Sequence, residues 1–509
     1  DETQRAAFRR LSVFRGGFAA EQATAVAGTT WPLLLGLVDK SLVEVIGAQS
    51  YDLHDLVRQY AARKLVEMVE VEDARQQHFE SYQALGQQLM DRITGPEAVT
   101  SLVRFHQEHE NIRAALAWGV ETQQSEATLG FTGSVFLFWL RGGHWREAEQ
   151  WLQQALAQSG DAETPHVAEA LCQLSTFTAL QGRYLDAFPF LQRALHMARR
   201  LEDPWVLVVS LFVLGQALPD KDQAYAAFEE AIAICQAHET EAFFGRFWTD
   251  MLWVYGDRLL DYGFVAEAEA KYRESLARYR RLGDVNMIAY PLGNLGRLAL
   301  REGHLQEAHD LISESVRYSR GGNRVALGDW LYRLGQVHLY LGELEAAATD
   351  LNTTLTLYEE INNIPGQAGV LACLAELALL YDDVMTADRH IQDSLNRYRT
   401  IFLSIHALDI VNRKTQYRDV TDSLLRVGLV AAALGEHRRA VMTLNCAEAL
   451  AADSDNREVS PLQAKVAAAL TRLQENLPAA EFHDAAAHGR QMSLEALFAT
   501  VGQGVAAID

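Results

Sequence analysis

The sequence predicts an all-α protein, a right-handed solenoid of stacked helical hairpins preceded by a small domain with a β-hairpin. Apolar residues recur at i, i+3, i+4 and i+7 with Ala, Leu, Glu, Gln and Arg between them, which is typical of amphipathic helices. Ten prolines in 509 residues are too few for an all-β protein with many turns. One motif also returns about eight times, and such a repeat decides the architecture.

The first 70 residues hold the convincing strand signal of the chain. In SLVEVIGAQSYDLH two short β-rich runs flank the turn residues GAQS, and the helix-forming run DLVRQYAARKL follows directly. Because helical segments precede the hairpin, we expect a winged-helix domain over 1–70 and a helical connector over 71–126. A DNA-binding winged helix is the alternative, but residues 1–64 hold 8 basic and 7 acidic side chains, and that balance argues against DNA.

The repeated motif occupies residues 127–452. It consists of a turn glycine, then a large apolar residue at +2, Ala at +5, a large apolar residue at +9 and a small residue at +12, with a Leu-small pair seven or eight residues before the turn. Each unit is therefore two antiparallel helices joined by a tight turn, and the pattern resembles the tetratricopeptide repeat. A weaker copy ends in Ala224, Phe228 and Ala231 and has Pro219 in place of the glycine. The other copies start at Gly143, Gly182, Gly263, Gly303, Gly342, Asp382 and Gly435.

The spacing of the copies predicts long helices. Successive turn glycines are 39, 40 and 39 residues apart at 143/182, 263/303 and 303/342, whereas the standard repeat has about 34 residues. The interval from Asp382 to Gly435 is 53, so IFLSIHALDIVNRK adds helix or loop there. We expect residues 453–509 to form capping helices, and the concave face of the solenoid to be the binding surface.

Composition excludes several classes of partner. The chain has 45 basic and 67 acidic side chains and a net charge of −22, which argues against nucleic acid and anionic membranes as partners. Apolar runs such as 205–218 are 14 residues long, short of the roughly 18 to 20 that cross a bilayer. Four scattered cysteines without a CxxC pair predict buried free thiols and a reducing cytoplasm. We therefore expect a cytoplasmic protein whose partner is a protein, peptide or small molecule.

Five segments carry a more specific resemblance. LSVFRGGF, LVDKSLV, HDLVRQYA, HENIRAALAWGVE and EFHDAAAHGRQMSLEALF resemble the region downstream of the nucleotide-binding domain in bacterial STAND signal-transduction ATPases. The resemblance covers essentially the whole chain, and it implies a winged helix and then tetratricopeptide repeats behind an ATPase core.

The chain contains no G-x-x-x-x-G-K-[ST] phosphate-binding loop. Without that loop we expect this chain to be no enzyme and to hold no cofactor of its own. It also starts at Asp1 without an initiator Met, so we expect a fragment or processed part of a longer protein. The resemblance implies an upstream ATPase core that binds ADP or ATP with Mg, in a parent protein that forms oligomers on activation.

His54 gains a role from the same resemblance. Leu53-His54-Asp55 stands where many STAND proteins have a Met-His-Asp-like triplet that contacts the β-phosphate of ADP in the resting state. An imidazole can donate to a phosphate oxygen, and a following helix offers free N–H groups. The alternative is that His54 ends a strand while Asp55 caps a helix that begins at Leu56.

Other candidate chemistry is weak. His106 and His109 in HQEH match no zinc-hydrolase spacing, so we expect them on an exposed helix face with no metal site. The sequence has no G-x-S-x-G motif and no plausible Cys/His nucleophile, so we expect no catalytic residues.

The phase of the repeats predicts which side chains face the inner groove. Aligning each first helix on its Leu-small pair places a set of Arg, Tyr, Trp, Asn and acidic residues there, a composition typical of a recognition surface. The alternative for each residue is a solvated or inter-repeat role. The predicted trigger-binding residues are Asp250, Trp253, Asp257, Asn294, Arg297, Arg301, Tyr332, Arg333, Gln336, Tyr340, Glu376 and Arg426.

These observations predict the sensor arm of a STAND ATPase. A trigger that binds the solenoid better in an open than in a closed arrangement shifts the protein from its ADP-bound resting state toward oligomerisation. The alternative is a constitutive scaffold or adaptor that binds a linear peptide and needs neither His54 nor the winged helix. An enzyme built on the solenoid has only HQEH in its favour.

Overall fold

The structure, a computed structural model, describes residues 2–47, 50–93, 97–218, 220–238, 240–285, 287–406, 413–453, 461–494, 496 and 497, without the side chains of Tyr184, Ala242, 402–419 and 452–453. It contains two compact units. Unit 1 comprises Asp1–Leu140 and Glu147–Gln173, and unit 2 comprises Arg141–Arg146 and Leu174–Asp509. Helices dominate both units, as the sequence predicts.

Unit 1 begins with a small mixed region. Its elements are α1 (Glu2–Arg10), a 3-10 turn (Leu11–Val13), β1 (Phe18–Ala19), α2 (Ala20–Ala27), α3 (Trp31–Val38), β2 (Glu44–Gly47), β3 (Ser50–Asp52) and α4 (Asp55–Glu67). The strands form an antiparallel sheet in the order β1-β3-β2, in which Tyr51 faces Phe18 on one side and Val45 on the other. The predicted β-hairpin is thus present, and residues 48 and 49 of its turn lie outside the described residues. The winged-helix assignment stays a prediction.

Three further helices complete the early part of unit 1. They are α5 (Val71–Arg92), α6 (Ala98–Gln107) and α7 (His109–Glu121). Asn111 of α7 fixes the segment that leads into β1, because its Oδ1 accepts from the backbone N of Arg15 at 2.7 Å and its Nδ2 donates to the carbonyl of Gly17 at 2.8 Å. Buried Arg58 of α4 donates to the carbonyl of Phe14 at 2.5 Å. Segments that are distant in the sequence are therefore locked together by buried side-chain hydrogen bonds.

Helical hairpins follow. Their helices are α8 (Ser125–Gly142), α9 (Trp145–Ser159), α10 (Pro165–Leu180), α11 (Tyr184–Leu201), α12 (Pro204–Ala217), α13 (Lys221–Ala237), α14 (Ala242–Asp261), α15 (Val265–Leu282), α16 (Ala289–Arg301), α17 (Leu305–Ser319), α18 (Arg324–Leu341), α19 (Leu344–Glu360), α20 (Ile364–Leu380), α21 (Val384–His406), α22 (Arg413–Ala433), α23 (His437–Asp453), α24 (Pro461–Asn476) and α25 (Ala479–Gln491).

The turn inside each hairpin explains the repeated glycine. The six predicted turn glycines all have φ between 77° and 84°, a left-handed conformation that costs glycine little. Asp382 holds the same place with φ 58°, and Asp enters this region more readily than most residues. The tight turns of the predicted hairpins are therefore confirmed.

The small residue of the Leu-small pair allows the two helices of a hairpin to touch. A β carbon at Gly296 would lie 2.6 Å from Ile312, and one at Gly335 would lie 2.8 Å from Leu351. Ile312 and Leu351 are the large apolar residues that the motif places at +9. The two signatures of the repeat are therefore the two sides of one contact, and a larger residue at either glycine would push the helices apart.

The irregular intervals also have structural counterparts. α21 is 23 residues long and α22 begins at Arg413, so part of the 53-residue interval is added helix, while 407–412 lie outside the described residues. In the weaker copy Asp220 caps α13 by accepting from the backbone N of Gln223 at 2.8 Å, and Pro219 lies outside the described residues. α24 and α25 bury Leu462, Val466 and Ala485 in the same core as the last hairpin.

Two predictions from composition concern cysteines and membranes. Cys172, Cys235, Cys373 and Cys446 are all buried and unbridged. In the part of the chain that the structure describes, no helix combines the length and the apolar character needed to span a membrane.

Candidate functional site

A cavity of about 280 Å³ lies between the first helices of four successive hairpins in unit 2. α14, α16, α18 and α20 supply most of its wall, and α19, α21 and the loop before α20 complete it. Its size is near the lower end of the range for small-molecule pockets. The lining residues are Trp253, Asp257, Tyr290, Asn294, Arg297, Asp329, Trp330, Tyr332, Arg333, Tyr358, Asn363, Pro365, Gly366, Gly369 and Tyr398.

Half of the predicted groove residues meet in this cavity. The six come from three helices, two from each. The pairs of α14 and α16 are four and three residues apart and share one helix face, whereas the pair of α18 is adjacent in the sequence. They are Trp253, Asp257, Asn294, Arg297, Tyr332 and Arg333.

The cavity wall carries an ion pair. Arg297 Nη2 lies 2.5 Å from Asp257 Oδ1, and the hydroxyl of Tyr272 donates to the same oxygen at 2.6 Å. Burial lowers the pKa of Arg297, but the negative charge of Asp257 outweighs it and leaves that pKa above its usual value. Oδ1 of Asp257 is therefore already hydrogen-bonded to groups of the protein.

Aromatic rings form another part of the wall. Trp253 and Tyr290 stack with ring centroids 4.5 Å apart and an interplanar angle of 12°, and Trp330 meets Tyr290 edge-on at 6.4 Å. Tyr358 donates its hydroxyl to Asp329 Oδ1 at 2.7 Å. Burial raises the pKa of Asp329 from 3.8 to about 6, although Tyr358 and Arg333 oppose that shift. The wall thus combines flat apolar faces with a carboxyl group whose pKa is raised to about 6.

Four buried N–H groups of the lining have no hydrogen-bond partner on the described part of the protein. They are Trp253 Nε1, Asn294 Nδ2, Arg297 Nε and Trp330 Nε1. Asn294 is 2% exposed and Trp330 is 5% exposed, so neither group can turn to bulk solvent. Buried donors are almost always satisfied in folded proteins, so these four groups can take acceptors that the described protein does not supply.

The remaining predicted groove residues do not line the cavity. Buried Glu376 accepts from Arg426 Nε at 2.8 Å and from Lys465 Nζ at 2.6 Å, and Arg426 Nη2 donates to the hydroxyl of Tyr340 at 3.2 Å. We call Tyr340, Glu376, Arg426 and Lys465 the sealed network. Glu376 of α20 is thus paired with Arg426 of α22, and α24 adds Lys465 as its second cation.

The other three of these residues, Asp250, Arg301 and Gln336, are also absent from the cavity wall. Gln336 accepts from Arg333 at 3.0 Å and donates to the hydroxyl of Tyr332 at 3.3 Å, so it orients two cavity side chains. Asp250 accepts a hydrogen bond from the hydroxyl of Tyr279. Half-buried Arg301 is the last residue of α16.

The phase argument missed part of the lining for an identifiable reason. Asp250 was selected five residues before its Leu-small pair, and Tyr290, Asp329 and Gly369 hold that same position in the next three repeats. Applying this position to every repeat would have found all three. Tyr358, Asn363 and Tyr398 come from second helices and a loop, which the alignment of first helices leaves out.

The segment 361–366 joins the cavity to distant turns of unit 2. Three of its residues line the cavity. A β carbon on Gly143 would lie 2.0 Å from Ile361, so the two residues are in close contact. Asn362 Nδ2 donates to Gln181 Oε1 at 3.2 Å. The segment that lines part of the cavity therefore also contacts the turns of the first two repeats.

His54 lies in unit 1 at the start of α4. It is exposed and is itself the N-cap, because its Nδ1 accepts from the backbone N of Leu56 at 3.4 Å. The alternative, in which Asp55 caps a helix that begins at Leu56, differs from the structure, since α4 already begins at Asp55. With Nδ1 accepting, the proton of the neutral ring is on Nε2, which makes no hydrogen bond within the described residues.

His109 differs from its expectation. It was expected on an exposed helix face, but it is mostly buried, and its Nε2 lies 3.0 Å from Glu147 Oε1. Arg113 lies 2.6 Å from the other oxygen of Glu147. Burial raises the pKa of Glu147, but His109 and Arg113 outweigh it and lower that pKa to about 2. His109 and Arg113 of α7 therefore stabilise the ionised carboxylate of Glu147 within unit 1.

Three curated relatives were found, and no family model matches the chain. The chain is 26% identical over 589 aligned positions to proteins of Mycobacterium tuberculosis and Mycobacterium bovis that are provisionally named HTH-type transcriptional regulators. The match covers 99% of this chain and 65% of each relative. The chain thus spans about two thirds of the length of these relatives.

Among solved structures, the chain is similar to a STAND protein with a tetratricopeptide repeat sensor from Pyrococcus horikoshii, at a TM-score of 0.41 and 15% identity, over 80% of this chain and 64% of that one. It is also similar to the Rap conjugation gene regulator of plasmid pLS20 in complex with the Phr* peptide, at a TM-score of 0.43 and 14% identity, over 65% of this chain and 97% of that one. At these values the fold assignment rests on the repeat geometry described above.

Proposed function

We propose that this chain is the trigger-sensing arm of a bacterial STAND-type signal-transduction ATPase. The trigger binds in the cavity between α14, α16, α18 and α20, and unit 1 helps to hold the ADP-bound resting state. The observation that carries the proposal is the set of four buried N–H donors around one cavity. A scaffold that works only through its outer shape has no need of such donors, which destabilise the empty protein.

The size and lining of the cavity favour a small molecule or the end of a peptide as the trigger. About 280 Å³ is too little for a folded partner, and flat aromatic walls with a few polar groups are typical of small-molecule sites. A protein trigger would have to insert a single side chain or terminus here.

The contact between segment 361–366 and the first repeat turns supports a way to transmit binding. Gly143, which Ile361 touches, belongs to the short stretch Arg141–Arg146 of unit 2, and unit 1 holds the chain on both sides of that stretch. A trigger that fixes segment 361–366 in one position changes the free energy of this contact. If the active arrangement needs that position, the trigger shifts the equilibrium toward it.

For His54 we propose the β-phosphate of ADP as partner. Its Nε2–H is exposed and free of partners within the described residues, and the N-terminus of α4 offers favourable dipole charge beside it. ADP, ATP and Mg belong to the upstream nucleotide-binding domain, which also drives the oligomer on activation.

Exposed apolar side chains support a partner domain next to His54. Nine of the seventeen large apolar side chains that are exposed in the described residues lie between 31 and 69. They include Trp31, Ile46, Leu56 and Tyr60. Apolar surface concentrated in this way is typical of an interface, and we propose that the upstream nucleotide-binding domain covers it.

The resting state is tested in the full-length parent protein. His54→Ala should release a fluorescent ADP analogue about tenfold faster or more, because a hydrogen bond to a charged group contributes roughly 1.5–3 kcal/mol. Fluorescence after a chase with unlabelled ADP measures this rate. The matched control is His166→Ala, since His166 is also exposed in unit 1 but pairs with Glu126. Equal release rates for the two variants would contradict the role of His54.

The sensing half is tested separately on this chain. The small-molecule fraction of a lysate of the source organism should raise the melting temperature of the wild type by several degrees, because a ligand of the folded state stabilises it. Asn294→Leu should lose this shift, and Asn352→Leu on the exposed face of α19 should keep it. A shift that is equal in both variants, or absent from the wild type, would count against a trigger in the cavity.

A further inference from the structure

We infer that the trigger presents a carboxylate on a flat, aromatic body. This inference rests on the proposed sensing role of the cavity and names the chemistry of what it takes. The evidence is the kind of polar atom that the cavity leaves without a partner, together with the faces of the rings around it.

The unpartnered groups of the lining are all of one kind, hydrogen-bond donors. All four are N–H donors, and they come from two indoles, one amide and one guanidinium. An occupant that satisfies them must bring several acceptors into one small volume. A carboxylate has two oxygens with about four lone-pair sites and no donor of its own.

Other ligand chemistries match this surplus less well. A sugar hydroxyl brings a donor with every acceptor, so it would add new donors to a site that already has too many. An ammonium brings donors only. The carboxylate oxygens are also those that make the strongest hydrogen bonds with a guanidinium such as that of Arg297.

The charges around the cavity are compatible with an anion. Arg297 and Arg333 offset the formal charges of Asp257 and Asp329 within the lining. Asp257 already accepts from Arg297 and from Tyr272, so part of its charge is screened by groups of the protein. Arg333 lies over the ring of Tyr332 at 4.8 Å and is held there by Gln336.

The aromatic residues of the lining indicate the shape of the rest of the ligand. Six of the fifteen lining residues are Trp or Tyr. The stacked rings of Trp253 and Tyr290 are nearly parallel at 12°, and Trp330 stands edge-on to Tyr290 at 74°. Stacked and edge-on rings offer an aromatic ligand both of its favoured contacts. A flat ring with an acid group is the simplest molecule that uses the rings and the donors together.

The test compares probes that share one ring and differ in the polar group. Indoleacetate carries a carboxylate, whereas tryptamine carries an ammonium, and both are titrated into the intact chain in a calorimeter. Indoleacetate should bind about tenfold more tightly than tryptamine or better. It should also move the ¹⁵N–H signals of Trp253 and Trp330, which are assigned by Trp253→Phe and Trp330→Phe.

Two matched variants locate the binding. Asn294→Leu removes one of the four donors and should weaken indoleacetate about tenfold, while Asn352→Leu should bind like the wild type. Tripeptides that end in Trp, with a free or an amidated carboxyl terminus, show whether the same chemistry comes from a peptide end. Binding of the free-acid peptide alone identifies a peptide terminus, and binding of indoleacetate alone identifies a small acid; either supports the inference.

The overturning results are distinct from failure of the sensing role. Tighter binding of tryptamine, or indole signals that no probe moves because water satisfies the donors, would overturn the carboxylate assignment. The lysate experiment decides the sensing role independently of these probes. A melting-temperature shift that Asn294→Leu abolishes would then keep the cavity as a trigger site with a ligand of different chemistry.

Discussion

The cavity and the sealed network of unit 2 are built from the same kinds of residue, yet they differ in how their polar atoms are satisfied. In the sealed network Arg426 bonds to Glu376, to the hydroxyl of Tyr340 and to the carbonyl of Asp422. Lys465 donates to the second carboxylate oxygen of Glu376. In the cavity four N–H groups find no acceptor on the described protein.

The difference teaches that composition alone does not identify a recognition site. Both regions have Arg, Tyr and an acidic residue at groove positions, and the sequence predicted both equally as parts of a binding site. The two regions differ in whether a further helix supplies the missing hydrogen-bond partners. In the sealed network α24 supplies Lys465, which donates to Glu376. A region that the protein completes contributes to stability, and one that it leaves incomplete is available to a ligand.

The largest effect is expected in the sealed network. Arg426→Ala should lower the free energy of unfolding by about 3–5 kcal/mol, because buried Glu376 loses its one buried cation and keeps only the partly exposed Lys465. Arg438→Ala is the matched control, since the pair of Arg438 with Asp484 is exposed and contributes at most about 1 kcal/mol. Urea unfolding measures both. A loss as small as that of the control would mean that the network is not sealed from solvent.

The next effect is expected inside the cavity and has the opposite sign. The pKa of Asp329 is raised from 3.8 to about 6, so the folded state holds a proton that the unfolded state has lost. The cost of the ionised carboxyl therefore appears as the pH rises from about 4 to 6 and stays above that. Asp329→Asn should stabilise the chain by about 2–3 kcal/mol at pH 7.5 and by little at pH 4.5. Urea unfolding at the two pH values checks this.

The same substitution bears on the ligand. The charged groups around Asp329 are Arg333 of its own helix, Arg297 and Asp257, and the hydroxyl of Tyr358 donates to it. Since protonation removes a like charge, indoleacetate should bind more tightly as the pH falls from 7.5 to 5.5, and Asp329→Asn should remove most of that dependence. An equal gain in stability at pH 7.5 and 4.5 would show that Asp329 ionises normally.

Much of the solenoid could be predicted from the sequence because its rules are local. The turn glycines and the contact of Gly296 with Ile312 recur at fixed offsets, so the pattern itself encodes them. Half of the predicted groove residues reached the cavity for the same reason. The position five residues before each Leu-small pair, which holds Tyr290 and Asp329, follows from the same helix geometry and was within reach.

The rest depends on contacts that no local pattern specifies. Glu376 and Lys465 are 89 positions apart, and only the packing of α24 shows that they meet. Tyr398 reaches the cavity from a second helix through the stacking of one hairpin on the next. The contact of Gly143 with Ile361 joins turns more than two hundred residues apart. Which hydrogen bonds are completed is therefore a property of the stacked solenoid.

The smallest effect makes the sharpest comparison, between two buried asparagines of neighbouring hairpins. Asn323 uses its amide, accepting from the backbone N of Ala326 at 3.0 Å and donating to the hydroxyl of Tyr290 at 3.5 Å, whereas Asn294 Nδ2 has no partner on the described protein. Asn323→Leu should destabilise the chain by about 1–2 kcal/mol through loss of the helix cap. Asn294→Leu should stabilise it by about 1 kcal/mol, because an unsatisfied buried donor disappears. Thermal unfolding of both variants without ligand decides the sign. If Asn294→Leu destabilises the chain as much as Asn323→Leu, the amide of Asn294 is satisfied within the protein, and the cavity is no less complete than the sealed network.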